Sequence, residues 1–306
     1  MIKRNKFVIT FAFLFIVFPH STLAGSKISL KLHGGLSYLQ SGDINSGTQT
    51  FFDWGRVYFA PPPGGLIYGG YESIHLGYEL GGDLIFELTP RIGIGIGAGY
   101  LESSKNPKNH VWMMAIVDNS GGEVRGQDFF SRTKLSAIPL RLSVFLNLPL
   151  SLRLNFVANA GASYYLKAKY HAFWYVDEQL GIPENPYQTL STSAEERRLA
   201  LGFQGGLGLE YRLWAKVALF VEAEGRLARF CGLEGTSLWE QGTSGGLFPP
   251  VSETGKLYYE SVPMIPGSPR LIMVQSAPPA GPGGQPRGAV VDFSGVSLIA
   301  GVKIRL

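Results

Sequence analysis

The stretch SIHLGYELGGDLIFELTPRIGIGIGAGYL, Ser73 to Leu101, decides the fold. Ile74, Leu76, Tyr78, Leu80, Leu84, Phe86 and Leu88 fall on one face of an extended chain, and His75, Glu79, Asp83 and Glu87 fall on the other. Thr89-Pro90-Arg91 reverses the direction. Ile92, Ile94, Ile96, Ala98 and Tyr100 then alternate with four glycines. A period of two belongs to strands, whereas an amphipathic helix repeats every 3.6 residues. Apolar on one side and charged on the other is the pattern of a strand held between lipid and a polar interior, and glycine on the inner side suits a crowded lumen.

Working outward from this hairpin, the same rhythm recurs. Lys27 to Ser41 sets Ile28, Leu30, Leu32, Leu36 and Tyr38 against Lys27, Ser29, Lys31, His33 and Ser37. Ser136 to Leu146 and Leu152 to Leu166 flank the turn Leu148-Pro149-Leu150-Ser151, with Arg141, Ser143, Arg153, Asn155 and Asn159 on the polar side. Leu199 to Tyr211 and Lys216 to Ala228 flank Arg212 to Ala215, with Gln204, Glu210, Glu222, Glu224 and Arg226 on the polar side. Phe293 to Leu306 closes the series, with Ser297, Gly301, Lys303 and Arg305 inward. Eight strands result, joined in strict turn about by tight turns and long loops. This spacing predicts an all-β, up-and-down antiparallel barrel across an outer membrane, with short periplasmic turns and long extracellular loops. Lys256 to Met264 and Arg270 to Gln275 flank Pro266-Gly267-Ser268-Pro269 and form a further candidate hairpin, so ten strands is the alternative count. The rest of the last loop, about Arg229 to Val290, is expected to be irregular because proline and glycine punctuate it throughout.

The first 24 residues read as a cleaved signal peptide, leaving residues 25–306 as the barrel domain. Lys3, Arg4 and Lys6 precede the apolar run Phe7 to Phe18, and Thr22-Leu23-Ala24 offers small residues before Gly25. The run is too short for a membrane helix, which needs about 20 residues. Its removal leaves 24 basic residues against 23 acidic ones, a balance of +1. No basic patch is dense enough to follow a phosphate backbone, so nucleic acid is not an expected partner. Cys231 is the single cysteine, so an intrachain disulfide is impossible.

The whole region after residue 24 resembles the small outer-membrane barrels of the OmpA, OmpX and OmpW type. The resemblance rests on Pro-Arg-Ile-Gly-Ile-Gly-Ile-Gly-Ala-Gly-Tyr at 90 to 100, Ile-Pro-Leu-Arg-Leu at 138 to 142 and the closing Leu-Ile-Ala-Gly-Val-Lys-Ile-Arg-Leu. It implies outer-membrane lipids as surroundings, and periplasmic chaperones and the barrel assembly machinery as biogenesis partners. Gly301, Ile304 and Leu306 occupy marked places of that machinery's terminal-strand signal. Ile299 stands where a polar residue is usual, and Leu306 replaces an aromatic end.

Face parity places Glu79, Asp83, Glu87, Glu210, Glu222 and Glu224 inside together with Lys27, Lys31, Arg141, Arg153, Lys216, Arg226, Lys303 and Arg305. An eight-stranded interior is filled by such side chains, and mixed signs favour a paired plug over a conducting lumen. A pore for ions or small solutes is the rival reading. Lipid A enzymology is the second rival, pointing to Ser73, His75 and Glu79; no catalysis is expected. Gly93-x-Gly95-x-x-Ala98 fits a loose dinucleotide fingerprint but lies inside a strand with no helix after it. His33, His110 and His171 have no metal-ligand spacing, so neither cofactor nor metal is expected. The loops carry Trp54, Tyr58, Phe59 and Tyr68 in the first, and Trp239, Tyr258 and Tyr259 in the last, a candidate surface for interaction or adhesion; the plainer reading, an interfacial aromatic belt with loops packed on one another over the barrel mouth, is favoured.

Overall fold

The computed structural model describes residues 27–58, 66–105, 110–116, 124–179, 186–196, 200–243, 246–261, 270–279 and 287–306. The signal segment, 1–24, lies outside them.

Eight strands close a ring: β1 (Lys27–Leu39), β2 (Leu76–Glu87), β3 (Ile92–Lys105), β4 (Val124–Pro149), β5 (Leu154–Gln179), β6 (Leu201–Arg212), β7 (Val217–Leu227) and β8 (Gly295–Arg305). Each pairs antiparallel with the next, and β8 returns to β1, from Ser29 opposite Arg305 to Leu39 opposite Gly295. The eight-strand count therefore holds. Closure satisfies every edge inside the ring, which an open sheet in lipid could not do. Outside the ring, Leu36, Leu80, Ile96, Leu142, Phe203, Leu207, Val221 and Leu298 point away from the lumen and are exposed. Successive inner residues are buried and largely polar. The sheet is thus inverted relative to a water-soluble barrel.

The described parts of the long connections are rich in strand. β4 and β5 are 26 residues each and stay paired far beyond the ring, from Pro149 opposite Asn155 to Gly126 opposite Gln179. Their upper halves become the centre of an open extension of the same sheet, the cap. On one side β4 pairs with His110–Ile116, which pairs with Leu66–Gly70. On the other, β5 pairs with Pro186–Glu195, followed in order by Glu234–Thr243, Val251–Ser261 and Arg270–Gln275. The expected irregular last loop is corrected here: backbone donors that would otherwise be buried are taken up by strand pairing. The suspected hairpin exists, with Lys256 opposite Gln275 and Ser261 opposite Arg270, but it belongs to this cap and not to the ring.

A register shift in the β4–β5 ladder and a left-handed Lys167 (φ 50°) mark the change from barrel to cap. One extra residue in β5 reverses parity, so Tyr165 faces inward below the bulge and Ala168, Tyr170, Ala172 and Trp174 face inward above it. The core changes character at the same level. Above it, Leu39, Ile44, Leu101, Leu135, Tyr170, Leu233, Leu257, Tyr259, Ile272 and Val274 form a contiguous apolar cluster.

The first loop contains a helix, α1 (Asp43–Tyr58), amphipathic in its sequence pattern and absent from the strand-period reading. Its start is fixed by tertiary contacts. Asp43 accepts hydrogen bonds from the Val290 amide at 2.8 Å and from Arg287 at 2.7 Å, and Asn45 Oδ1 accepts from the Ile74 amide at 2.7 Å and the Tyr71 hydroxyl at 2.6 Å. Gly47 lets the helix close on the strand beneath, since a β-carbon there would lie 2.8 Å from Ile272 Cγ1.

Candidate functional site

The lumen is the densest polar assembly of the protein, and alternation on eight strands delivers it. Glu79 from β2 sits between two guanidiniums, Arg226 Nη1 at 2.5 Å and Arg141 Nη1 at 3.2 Å, and accepts from Ser297 Oγ at 3.0 Å. Arg226 also donates to Ser37 Oγ and to the Phe293 carbonyl. Arg141 Nε lies 3.4 Å from Asp83, and its Nη2 lies 3.0 Å from His33 Nε2. A guanidinium only donates, so His33 Nε2 accepts, and the ring proton is assigned to Nδ1, 3.7 Å from Asp83. Glu224 stands 4.0 Å from Arg141 Nη1.

Nearer the turns, Lys31 Nζ meets Glu222 at 2.5 Å and lies 4.4 Å from the centre of the Phe220 ring. Asn159 also donates to Glu222. Lys303 joins Glu210 at 3.2 Å and Glu87 at 3.8 Å, and Arg305 adds a bond to Glu87 at 3.4 Å. Between the two levels, Ser163 donates to Gln204, and Gln204 donates to Ser143. The glycine wall of β3 makes room for this filling: a β-carbon on Gly95 would lie 2.6 Å from the Phe145 ring. A gap of about 30 Å³ remains beside Lys31, Glu87, Phe145, Glu210, Phe220 and Lys303, room for about two water molecules.

Above the network lies a second closure that spacing could not reveal. Tyr165, Phe230 and Phe293 come from three separate segments and pack as a triangle, with ring centres 5.3, 6.2 and 5.9 Å apart. All three are buried. They form the floor of the apolar cap core, next to the charged lumen.

Eight of the nine residues expected in the lumen network are there: Glu79, Asp83, Glu87, Arg141, Glu210, Glu222, Glu224 and Arg226. Arg153 is a correction. It has inward parity but precedes the first residue of β5, so it lies exposed in the turn, as does Lys216 before β7. Alternation orients a side chain inward only while the ring encloses it. Lys27 begins β1, but its side chain is outside the described residues.

Among the loop aromatics Tyr259 is corrected. Tyr259 is buried in the cap core, 2% exposed, and Tyr258 is half-buried. Tyr68 is exposed on a strand at one edge of the cap, and Trp239 is partly exposed on the third strand in from the opposite edge. These rings do not share one surface. Trp54 and Tyr58 fall within α1, but their side chains, like all of Phe59, lie outside the described residues. Burial in the cap pushes the Tyr170 hydroxyl well above its ordinary pKa. Of the terminal-strand residues, Gly301 packs its backbone against Leu32 and His33, where a side chain would not fit; Ile304 pairs with Leu30; and the Leu306 amide bonds to Ile28. His75 is occupied at the rim, its Nδ1 2.7 Å from the Leu39 carbonyl and its ring stacked on Tyr38 at 4.7 Å. Among the described residues no group of three potential metal ligands converges.

A closed antiparallel ring of eight strands with an apolar outside and a charged inside is the architecture of an outer-membrane β-barrel. No protein-family model matches the sequence, and no curated protein matches it. Among solved structures it is similar to a major outer membrane protein from Thermus thermophilus, at 13% identity over 91% of this chain and 99% of that one, with a TM-score of 0.35. A similarity that loose carries nothing about function.

Proposed function

We propose that this protein is an integral outer-membrane barrel of the small OmpA, OmpX and OmpW-like kind, exported by a signal peptide at residues 1–24, with a closed lumen and no catalytic role. In this reading the turns face the periplasm and the cap stands outside the cell as the part that meets a ligand or partner. Outer-membrane lipids surround the ring, and periplasmic chaperones and the barrel assembly machinery deliver it.

The single observation that carries the reading is the inverted ring, with leucines exposed outside and Glu79 clamped by two arginines inside. Mixed, paired charges fill a lumen, whereas a selective pore presents one sign along an open path. The aromatic triangle above the network supports closure as well. The non-catalytic reading is supported by Glu79 of the Ser73, His75 and Glu79 set: two guanidiniums hold its carboxylate, which leaves it unavailable to orient or assist His75.

Planar-bilayer recording of the refolded protein tests this reading. Silence is expected across neutral pH and ordinary salt. Sustained unitary steps in the wild type would overturn the closed lumen and reinstate the pore for ions or small solutes.

A further inference from the structure

The cap holds a cleft of about 230 Å³ that none of the lumen chemistry explains. It is larger than the ~150 Å³ apolar cavity that takes up a benzene ring. Its back wall is a cross-strand row, Leu190 opposite Trp239 opposite Val251. The neighbouring row forms the floor, where Thr192 and Ser237 hydroxyls lie 2.9 Å apart and are both buried. The last strand of the cap folds back over this face, because the Val274 amide donates to Ser237 Oγ at 2.9 Å. That fold-back sets Met273 across from Trp239, and Pro249 completes the apolar lining.

One lining residue is charged. Glu253 lies in the floor row opposite Ser237, and the hydrogen bond that it makes among the described residues is to the Ser276 amide at 3.3 Å. One carboxylate oxygen is thus engaged at the mouth, and the negative charge has no basic counterpart in the cleft lining. Leu190, Pro249, Val251 and Met273 offer apolar contact. Trp239 is 37% exposed and lines the cleft with its indole. An indole face and a carboxylate together attract an ammonium group, and the remaining wall accepts the apolar body that carries it. Anions meet the charge of Glu253 with no basic residue of the described lining to offset it.

We infer that this cleft binds a small amphipathic organic cation, an aryl- or alkylammonium, with its apolar part between Trp239 and Met273 and its positive end toward Glu253. The inference deepens the reading of the cap as the contacting part of the protein and is independent of whether the lumen conducts.

The test uses the full mature chain in phosphatidylcholine nanodiscs, with empty nanodiscs as the reference, and isothermal titration calorimetry. Benzyltrimethylammonium is the probe, benzyl alcohol its neutral counterpart and phenylacetate its anionic one. Binding of the cation is expected, with phenylacetate at least about tenfold weaker. Glu253→Gln should weaken the cation about tenfold and leave benzyl alcohol unchanged, which separates charge recognition from packing. Trp239→Ala should remove both ligands. Met273→Ala should weaken both while leaving their ratio alone, which serves should the tryptophan variant fail to fold. Equal binding of cation and anion, or a cation affinity untouched by Glu253→Gln, would overturn the inference. Silent bilayers with no cation binding would overturn it while leaving the closed barrel standing.

Discussion

Barrel and cap share two continuous strands, yet they are built on opposite rules. Below the bulge at Lys167, β4 and β5 turn Arg141, Ser143, Asn155 and Asn159 inward and leucines outward; above it, they turn Leu135, Tyr170, Ala172 and Trp174 inward. One ladder therefore passes from an inverted core to an ordinary one, interrupted at the bulge where Ala137, Lys167 and Ala168 drop out of the pairing. The difference follows from the surroundings. Where lipid lies outside, apolar side chains gain nothing by turning inward, and the lumen is left to groups that must satisfy one another. Where water lies outside, burying apolar area is again the dominant favourable term. The bulge moves the inward set by one residue and so aligns each half with its own solvent.

The comparison breaks first at Glu79. Glu79→Ala leaves Arg141 and Arg226 buried without the carboxylate that joins them, and removing one partner from a buried charge set costs about 3–5 kcal/mol. Urea unfolding of the barrel in detergent, read by its heat-modified mobility on gels, should show that loss. A variant as stable as the wild type would mean that the lumen is held by the strand ladder alone and that its charges are passengers. The matching cut in the cap is Leu257→Ala. This side chain is fully buried, and its truncation should cost about 3 kcal/mol through lost transfer energy and the cavity left behind. Limited proteolysis should register it in the cap while the gel shift of the barrel stays in place. Simultaneous loss of both signals would show that barrel and cap unfold as one unit, and the two-core description would fail.

The two halves differ equally in how far the sequence discloses them. The ring was legible because lipid on one side and a polar lumen on the other impose alternation on every strand, and alternation survives in any single sequence. Parity alone placed Glu79, Arg141, Glu222 and Arg226 correctly. It failed at Arg153 and Lys216, where it was carried past the strand ends into the turns. The cap was illegible for a different reason. Glu234–Thr243 reads EGTSLWEQGT, with no apolar face to announce a strand, and it is held by neighbours on both sides. α1 reads DINSGTQTFFDWGRVY, whose glycines, threonines and asparagine are weak helix formers, and its start depends on Val290, Arg287 and Tyr71. Tyr165, Phe230 and Phe293 meet only after the chain has closed. Long-range partners decide where these elements sit, and the two-residue period that marks the ring records none of them.

The smallest effect sharpens the same contrast. Lys169 and Glu195 lie opposite each other on β5 and its cap neighbour and form an ion pair at 3.2 Å, with side chains 45% and 38% exposed. The pair has the same chemistry as the Lys31 and Glu222 pair, but water screens it and competes for both groups. Lys169→Ala should therefore change stability by less than about 0.5 kcal/mol, and the change should shrink further in high salt. Chemical denaturation at two salt concentrations measures this directly. A loss comparable to that of Glu79→Ala would mean that the cap's outer face is sheltered from solvent in the native envelope. The boundary between the two rules would then lie higher on β4 and β5 than the bulge.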